Sequence, residues 1–178
     1  MSVRLNQAER IKLINFHYTL TNTPIGNLLL ASKDNRLTSI IFEKNITGYL
    51  KRINLRKKDI PYVSSDENLQ KSSKQIHQYF CKKRKVFNVK IHTSMPPFYR
   101  RVLNEVKKIP YGEVRTYKEI GINAGSPKAY RATGTANANN VLPIIIPCHR
   151  VVSSNGDLGG YGGGLKIKKY LLKMEGVI

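Results

Sequence analysis

Acidic residues are scarce in this 178-residue chain. It contains 11 Asp and Glu against 31 Lys and Arg, a formal net charge of +20 at pH 7. A surface that only needs to be soluble usually mixes both signs, so this excess favours a polyanionic partner, and nucleic acid above all. Between residues 126 and 174 Asp157 is the one acidic residue, against seven cations. The C-terminal third is therefore the predicted contact region.

Cysteines and long apolar runs are also few. The two cysteines, Cys81 and Cys148, give neither a disulfide framework nor a Cys/His zinc spacing, so no metal site is predicted. The longest apolar stretch, 141–146, is far too short to cross a bilayer, and the first residues lack the apolar core of a secretory signal. We therefore expect a soluble protein of the reducing cytoplasm, with no membrane attachment.

The N-terminal half predicts a small α/β unit. Strand-like segments at 13–20, 27–32 and 37–43 are separated by turn signals, which indicates a strand meander. A helix is expected over 66–83, with its apolar side formed by Leu69, Ser73, Ile76 and Phe80. The alternation of Phe87, Val89 and Ile91 then predicts one more strand. These elements make residues 1–93 a sheet-plus-helix domain that supports the rest.

Residues 94–178 are predicted to form a mostly helical domain. The predicted fold class of the whole chain is therefore α/β (α+β), with a sheet-plus-helix domain followed by a mostly helical one. Two prolines open a helix near residue 97, and its apolar stripe consists of Phe98, Val102, Val106 and Ile109. Thr116 and Glu119 form a capping-box pattern, and Gly125 ends the helix that follows. A third helix is expected from Ser126 onward. Such a pair has helix-turn-helix spacing, although an ordinary helical hairpin remains the alternative.

The third helix carries almost no long side chains. Arg131 is its single long cation, and the surface around it consists of Ser126, Ala129, Ala132 and Thr133. A helix that reads bases in the major groove needs several side chains that reach base edges, so sequence-indifferent contact with a narrow groove is favoured. Arg131 could insert into the duplex as a wedge, and a simple phosphate contact is the alternative. Gly121, inside the preceding helix, should soften that helix by up to ~1 kcal/mol relative to alanine.

Cys148 stands in an unusual context. It follows a strand-like apolar run and a proline, and His149 and Arg150 come directly after it. Cationic neighbours favour the thiolate, the reactive form of cysteine, whereas the alternative is a small buried hydrophobic residue. Neighbours on an extended segment point to opposite sides, so a water would have to link Cys148 to His149. The glycine-rich loop after residue 156 lacks a phosphate-binding pattern, so it is either a pliable pocket wall or a plain flexible loop.

Several motifs before and after Cys148 match those of one known protein family. PCHRVV, preceded by ANANNVLP and followed by GGYGGGL and KKYLLKMEG, resembles the O6-alkylguanine-DNA alkyltransferases, the methylated-DNA–protein-cysteine methyltransferases. PYGEVRTY and AGSPKAYRATGTAN extend the resemblance from about residue 98 to 176, while the N-terminal 90 or so residues match loosely through TPIGNLLLAS. The family is implied by order and spacing over nearly half of the chain.

The resemblance implies a role for each matching position. Cys148 would accept the alkyl group, with His149 polarising it through water and Glu175 orienting His149. Tyr117 would donate a hydrogen bond to the guanine ring, Arg131 would fill the space left by the flipped nucleotide, and Asn140 would hold the turn before the active-site strand. The pocket would be lined by Val151, Tyr161, Gly162 and Pro143. Many members carry serine where this chain has Gly162, which leaves the backbone N–H to contact the base oxygen.

The implied reaction is direct reversal of O6-alkylguanine, or of O4-alkylthymine, in double-stranded DNA after nucleotide flipping. A thiolate and hydrogen-bond donors suffice for it, so no cofactor is expected. Thiol exchange cannot remove an alkyl thioether, so the protein is expected to act once. It is also expected to be a monomer. Two rivals are a cysteine hydrolase, which the basic surface disfavours, and a non-catalytic helix-turn-helix or lesion-sensing protein, which the intact cysteine and the lack of base-reading side chains disfavour.

Overall fold

The computed structural model describes residues 16–53 and 66–178. The described chain forms two compact units, one reaching to His77 and including Asn88–His92, the other comprising Gln78–Phe87 and Thr93–Ile178. The predicted fold class, a small sheet unit followed by a helical one, is confirmed. No helix among the described residues has the length and apolar character needed to cross a membrane.

The first unit is built on the predicted meander. Strands β1 (Phe16–Thr23), β2 (Gly26–Lys33) and β3 (Arg36–Phe42) pair antiparallel in that order. Asp34 and Asn35 adopt left-handed conformations with φ of 50° and 54°, as a two-residue turn between twisted strands requires. Residues 13–15 of the predicted first strand lie outside the described residues.

A helix that the sequence analysis did not predict covers one side of this sheet. Helix α1 (Glu43–Arg52) follows β3 directly and buries Ile46 and Leu50. These two side chains pack with Tyr18, Leu29, Ala31 and Ile41 in the core. The sequence gives little sign of helix α1, because only two of its residues, Ile46 and Leu50, are buried and two apolar positions do not make a clear helical pattern.

Helix α2 (Glu67–Phe80) confirms the predicted helix but turns a neighbouring face inward. Leu69 and Ile76 are buried as predicted, whereas Ser72 and Tyr79 take the places expected for Ser73 and Phe80. Ser72 can be buried because its hydroxyl donates to the Asn68 carbonyl, 2.6 Å away.

The strand predicted over residues 87–91 is wrong. The segment makes one bridge, between Leu37 and Ile91, instead of a ladder. Two amide side chains of α2 take the role of a partner strand: Asn68 exchanges bonds of 2.9 and 3.0 Å with the backbone of Lys90, and Gln75 bonds of 3.1 and 2.8 Å with that of Asn88. The backbone is satisfied by side chains, so the extended segment needs no ladder.

The second unit contains helices α3 (Pro97–Lys107), α4 (Tyr117–Asn123), α5 (Tyr130–Ala138) and α6 (Leu165–Met174), and the short parallel strands β4 (Arg115–Thr116) and β5 (Val151–Val152). The capping box is confirmed. Glu119 N–H donates to Thr116 Oγ1 at 3.2 Å, and Thr116 N–H donates to a Glu119 carboxylate oxygen at 2.6 Å.

Helix α5 begins at Tyr130, later than predicted. Gly125, with φ of 73°, ends α4, and its N–H donates to the Ile122 carbonyl while Ser126 N–H donates to the Gly121 carbonyl at 2.8 Å. These two hydrogen bonds together form the Schellman motif, a common C-terminal ending of a helix. Because Ser126 takes part in it, the chain needs one further turn before α5 can start.

Gly121 has a role that the sequence analysis missed. A Cβ at this position would lie 3.1 Å from Thr133 Oγ1 on α5 and 3.3 Å from the Ser126 carbonyl oxygen. Both neighbours are fixed. Thr133 is fully buried and its hydroxyl donates to the Ala129 carbonyl at 3.0 Å, and the Ser126 carbonyl accepts from Ala129 N–H at 3.0 Å. The missing side chain lets α4 and α5 approach closely.

We therefore expect Gly121→Ala to destabilise the protein by about 1–3 kcal/mol, because overpacking outweighs the helix propensity that alanine adds. Gly48→Ala is the matched control, since a Cβ on this exposed glycine of α1 meets nothing within 4 Å. It should stabilise by up to about 1 kcal/mol. Urea unfolding of the full chain measures both changes. If Gly121→Ala raised stability as Gly48→Ala does, close packing at Gly121 would be refuted.

Candidate active site around Cys148

The segment before Cys148 is a buried loop and not the predicted strand-like run. Pro143 and Ile146 form an isolated bridge, and Ile144 between them has φ of 75°. A β-branched residue rarely adopts this conformation, which shows how strongly the surroundings constrain the loop. Cys148–Arg150 then form one turn of 3₁₀ helix, so the expected extended segment at Cys148 and His149 is also wrong.

Asn140, which follows α5, holds this loop and contacts the thiol. Its side-chain amide donates to the Ile146 carbonyl at 2.8 Å and to Cys148 Sγ at 3.0 Å, while its amide oxygen accepts from Leu142 N–H at 3.0 Å. Asn137 on α5 donates to the Cys148 carbonyl at 3.3 Å. The end of α5 therefore fixes both the sulfur and the backbone of Cys148.

Cys148 is a buried thiol with 4 % of its surface exposed. Burial raises the pKa of its thiol to about 11, although the Asn140 hydrogen bond and the charge of Lys168 oppose the rise. Positive charge favours the thiolate, but desolvation outweighs it, so the resting sulfur carries its proton. The proton on sulfur has to leave before or during any attack by the sulfur.

His149 is fully buried beside Cys148, and its two ring nitrogens differ. Nε2 lies 2.9 Å from Glu175 Oε1, while Nδ1 is buried and makes no hydrogen bond with any described residue. An ionised carboxylate can only accept, so Nε2 carries the proton and Nδ1 keeps a lone pair. Burial lowers the pKa of His149 despite the Glu175 carboxylate, so the ring is neutral at neutral pH and can take up a proton at Nδ1.

Glu175 caps the C-terminal end of α6 and is itself buried. Burial would raise the pKa of its carboxyl, but hydrogen bonds from His149 and Arg150 lower it to about 2. Arg150 binds it with two nitrogens, at 2.8 and 2.9 Å, and donates with the third to the Ile109 carbonyl at 2.7 Å. Tyr79 donates to Oε1 at 2.5 Å.

Four residues of the site were not identified as site residues from the sequence: Asn137, described above, and Arg150, Tyr79 and Lys168. Arg150 follows His149 in the chain and could have been inferred from that position, but nothing marks Tyr79 or Lys168. Lys168 is buried on α6 and donates from Nζ to the Val151 carbonyl at 2.6 Å and to the Leu158 carbonyl. Burial lowers the pKa of Lys168 to about 8. It ties β5 to the start of the glycine-rich loop.

Tyr117 and the glycine-rich loop are in close contact. A Cβ at Gly159, whose φ is 65°, would lie 3.0 Å from the Tyr117 hydroxyl oxygen, and one at Gly134 on α5 would lie 3.9 Å from the Tyr117 ring. Glycine at 159 is therefore needed for this approach.

The predicted pocket residues lie on several segments of the same unit. Tyr161 packs its ring edge-on against His149, with centroids 6.3 Å apart. Val151 and Pro143 are buried, while Gly162 is exposed and a Cβ there would meet nothing within 4 Å. An open cleft of about 700 Å³ lies beside Tyr117; it is lined by Tyr117, Lys118, Pro127, Lys128, Tyr130, Ser153, Ser154 and Asn155.

The residues predicted to face DNA divide into two groups. Arg131 and Ala132 are exposed on α5, and Ser126 and Ala129 are half-buried. Thr133 does not belong with them, because it is fully buried and faces Gly121. The Arg131 guanidinium lies 5.8 Å from the centre of the Tyr130 ring, which is itself half exposed. Within residues 16–53 and 66–178, no three His, Cys, Asp or Glu side chains are grouped so as to hold a metal ion.

Comparison with known proteins matches both halves of the chain to one family. Residues 16–93 match the 6-O-methylguanine DNA methyltransferase, ribonuclease-like domain, and residues 97–177 match the 6-O-methylguanine DNA methyltransferase, DNA binding domain. The methylated-DNA–protein-cysteine methyltransferase of Methanosarcina acetivorans is 42% identical over 162 residues, covering 90% of this chain and 98% of that protein.

Solved structures give the same result. The crystal structure of Mycobacterium tuberculosis O6-methylguanine methyltransferase has a TM-score of 0.79 and 35% identity, covering 90% of this chain and 92% of that one. The Mycobacterium tuberculosis OGT in complex with DNA has a TM-score of 0.74 and 33% identity, covering 89% and 92%. The resemblance read from PCHRVV and its flanking motifs is thereby confirmed, and the chain belongs to the 6-O-methylguanine DNA methyltransferase family.

Proposed function

We propose that this protein repairs DNA by transferring a methyl or other alkyl group from O6-alkylguanine, or from O4-alkylthymine, to Cys148. One observation carries the proposal: in a chain of this family, a buried thiol lies beside a neutral histidine whose Nε2 is held by Glu175 and whose Nδ1 is unprotonated. DNA is the partner, since the C-terminal half matches the family's DNA binding domain.

The reaction needs a base, because the pKa of Cys148 leaves the sulfur protonated. The thiol proton passes through one water to His149 Nδ1, and the imidazolium that forms is stabilised by Glu175. Sulfur attacks the alkyl carbon, the new S–C bond forms, and the bond from carbon to the guanine oxygen breaks. The guanine leaves with the bonding electrons, a hydrogen bond from the Tyr117 hydroxyl stabilises its developing negative charge, and it takes up the proton that His149 received from the thiol.

Backbone carbonyls are the acceptors proposed for base recognition. The Val151 carbonyl accepts a hydrogen bond from Lys168 Nζ at 2.6 Å, whereas the Cys148 carbonyl accepts two, from the Asn137 amide at 3.3 Å and from the Val151 N–H. A carbonyl has two lone pairs, so the Val151 carbonyl can also accept from the exocyclic amine of guanine, and the Cys148 carbonyl does so by sharing a lone pair with the long Asn137 contact. Tyr161 and Pro143 form walls of the pocket, Gly162 N–H donates to the base oxygen, and Asn140 keeps the sulfur in place.

The duplex is bound without sequence preference through its minor groove. Arg131 is exposed on α5 between the half-exposed Tyr130 ring and the short Ala132 side chain, so it can enter the stack in place of the extruded nucleotide. Ser126, Ala129 and Ala132 allow close approach of the backbone. Residues 94–178 carry binding and transfer, and residues 1–93 support them. The protein acts once, as a monomer in the cytoplasm.

Cys148→Ala should abolish transfer without weakening DNA binding, because the Cys148 side chain is buried and offers almost no surface to a duplex. After incubation with duplex containing O6-methylguanine, mass spectrometry should show one added CH₂ on the Cys148 peptide of the unaltered protein and none on the variant. Cys81→Ala is the control, since Cys81 is exposed and should leave transfer intact. An unchanged mass for the unaltered protein would refute transfer to Cys148.

The rate of transfer should fall on acidification through the pKa of His149. Protonated His149 cannot accept the thiol proton, and burial places its pKa below the usual ~6.5. The midpoint of the acid limb should therefore lie below about pH 6.5 in single-turnover kinetics. His92→Gln, at an exposed histidine, should leave the profile unchanged. A rate that climbs steadily through neutral pH towards 11, the thiol pKa, would instead indicate attack by thiolate without a base.

Arg131→Ala should slow repair in duplex by about tenfold or more, because unstacking a nucleotide costs a few kcal/mol, while attack on a free alkylated guanine base stays close to normal. Lys128→Ala is the matched control. This exposed cation next to the helix should lower DNA affinity and reduce the salt dependence of binding by about one counterion, without separating the two substrates. Equal loss on both substrates in Arg131→Ala would rule out insertion.

A further inference from the structure

Tyr79 lies in the last turn of α2, within the N-terminal half that the ribonuclease-like domain model matches. The structure groups residues 78–87 with the second unit, which contains Cys148. Tyr79 is fully buried there, and its ring packs against Phe80, Phe87 and Tyr111. Its hydroxyl is the polar end of an otherwise apolar side chain, and it points at the Glu175–His149 pair.

The contacts of that hydroxyl are specific. It donates to Glu175 Oε1 at 2.5 Å, and its oxygen is 3.5 Å from His149 Nε2. The same carboxylate oxygen accepts from His149 at 2.9 Å and from Arg150 at 2.9 Å. Three donors therefore converge on Oε1, and Tyr79 is the one that comes from a distant part of the sequence.

We propose that Tyr79 is a positioning residue of the alkyl transfer, which fixes Glu175 Oε1 so that His149 keeps its proton on Nε2 and presents Nδ1 as the base. The inference rests on the proposed function and adds a residue to it. Tyr79 touches neither sulfur nor base, so its effect must pass through Glu175 and His149. A contribution to positioning the base would then come from outside residues 94–178, which carry the binding and transfer themselves.

The chemistry of the three donors explains this role. Burial and the nearby Glu175 carboxylate raise the pKa of Tyr79, so its hydroxyl is always a donor. A donor on Oε1 takes up part of the negative charge that would otherwise stabilise a protonated His149. Loss of the hydroxyl should therefore raise the basicity of His149 and also release the carboxylate from its fixed orientation.

The charged and titratable groups around His149 come from every element packed against it. They are Glu175 and Lys168 from α6, Cys148 and Arg150 from the 3₁₀ turn, Tyr79 from α2, Tyr161 from the glycine-rich loop and, facing Glu175, Tyr111. Arg150 and Lys168 oppose protonation of His149, and Glu175 favours it. Among these groups, a Tyr79→Phe substitution changes only a donor on Glu175 and leaves every formal charge in place.

The test compares Tyr79→Phe with Tyr170→Phe, which removes the hydroxyl of a tyrosine that is 39 % exposed. Single-turnover transfer is followed over pH with O6-methylguanine duplex and with a free alkylated guanine base. Tyr79→Phe should slow transfer by about 3- to 30-fold on both substrates, a part of the ~10²–10⁴ that a positioned base contributes. Its acid limb should also move to higher pH, because a more basic His149 is protonated earlier, while DNA affinity and the Tyr170→Phe profile stay unchanged.

A merely structural Tyr79 would lower the rate without moving the acid limb, and that result overturns the proposal, as does a rate equal to that of the unaltered protein. If Tyr79→Phe does not fold, nitrogen NMR of the unaltered protein decides instead. His149 should carry its proton on Nε2 with Nδ1 unprotonated, and the Tyr79 hydroxyl proton should exchange slowly; the opposite tautomer or fast exchange overturns the proposal. An unaltered protein that transfers no alkyl group would refute the proposed function itself, whereas normal transfer with an indifferent Tyr79 refutes this inference alone.

Discussion

The site depends on one buried carboxylate. Glu175 is almost completely removed from solvent, and an ionised group in that position is tolerated only when donors replace its hydration. Arg150 supplies the opposite charge in a two-point contact and is itself held by the Ile109 carbonyl after α3. His149 and Tyr79 donate the other two hydrogen bonds that Glu175 Oε1 accepts. The end of α6, the 3₁₀ turn, the chain after α3 and the end of α2 are thus tied to one functional group.

The thiol gains protection from the same burial that raises its pKa. A protein that transfers an alkyl group irreversibly loses its activity with every unproductive reaction of its sulfur. A resting thiolate would be open to oxidants, whereas a buried thiol is inert. Asn140 and Lys168 lower the pKa of Cys148 only in part, so the sulfur becomes a nucleophile when a base removes its proton. The sulfur is therefore unreactive at rest and reacts only inside the pocket, where the base can remove its proton.

Local sequence signals predicted the parts of the fold that local interactions determine. The meander, the capping box of Thr116 and Glu119 and the stop at Gly125 all follow from neighbouring residues. Predictions failed where distant side chains decide. The amides of Asn68 and Gln75 replace a strand partner for residues 88–90, and the buried hydroxyls of Ser72 and Tyr79 shift the inner face of α2. Nothing in the local sequence shows that a polar group will find its partner far along the chain.

The same distinction applies to the site. Cys148, His149 and Glu175 stand out by motif, but their burial, which raises the pKa of the thiol, is a property of the folded chain. Helix α5 connects two parts of the molecule, the exposed surface around Arg131 and the buried site of Cys148. Arg131 is on its exposed side, while Asn137 and, just beyond its end, Asn140 contact Cys148. Nine residues of helix span about 13 Å, so the exposed Arg131 and the residues that hold Cys148 lie on, or directly after, one short element. Asn137 binds the backbone of Cys148 and Asn140 binds its sulfur, and the close packing at Gly121 keeps α5 in its place against α4.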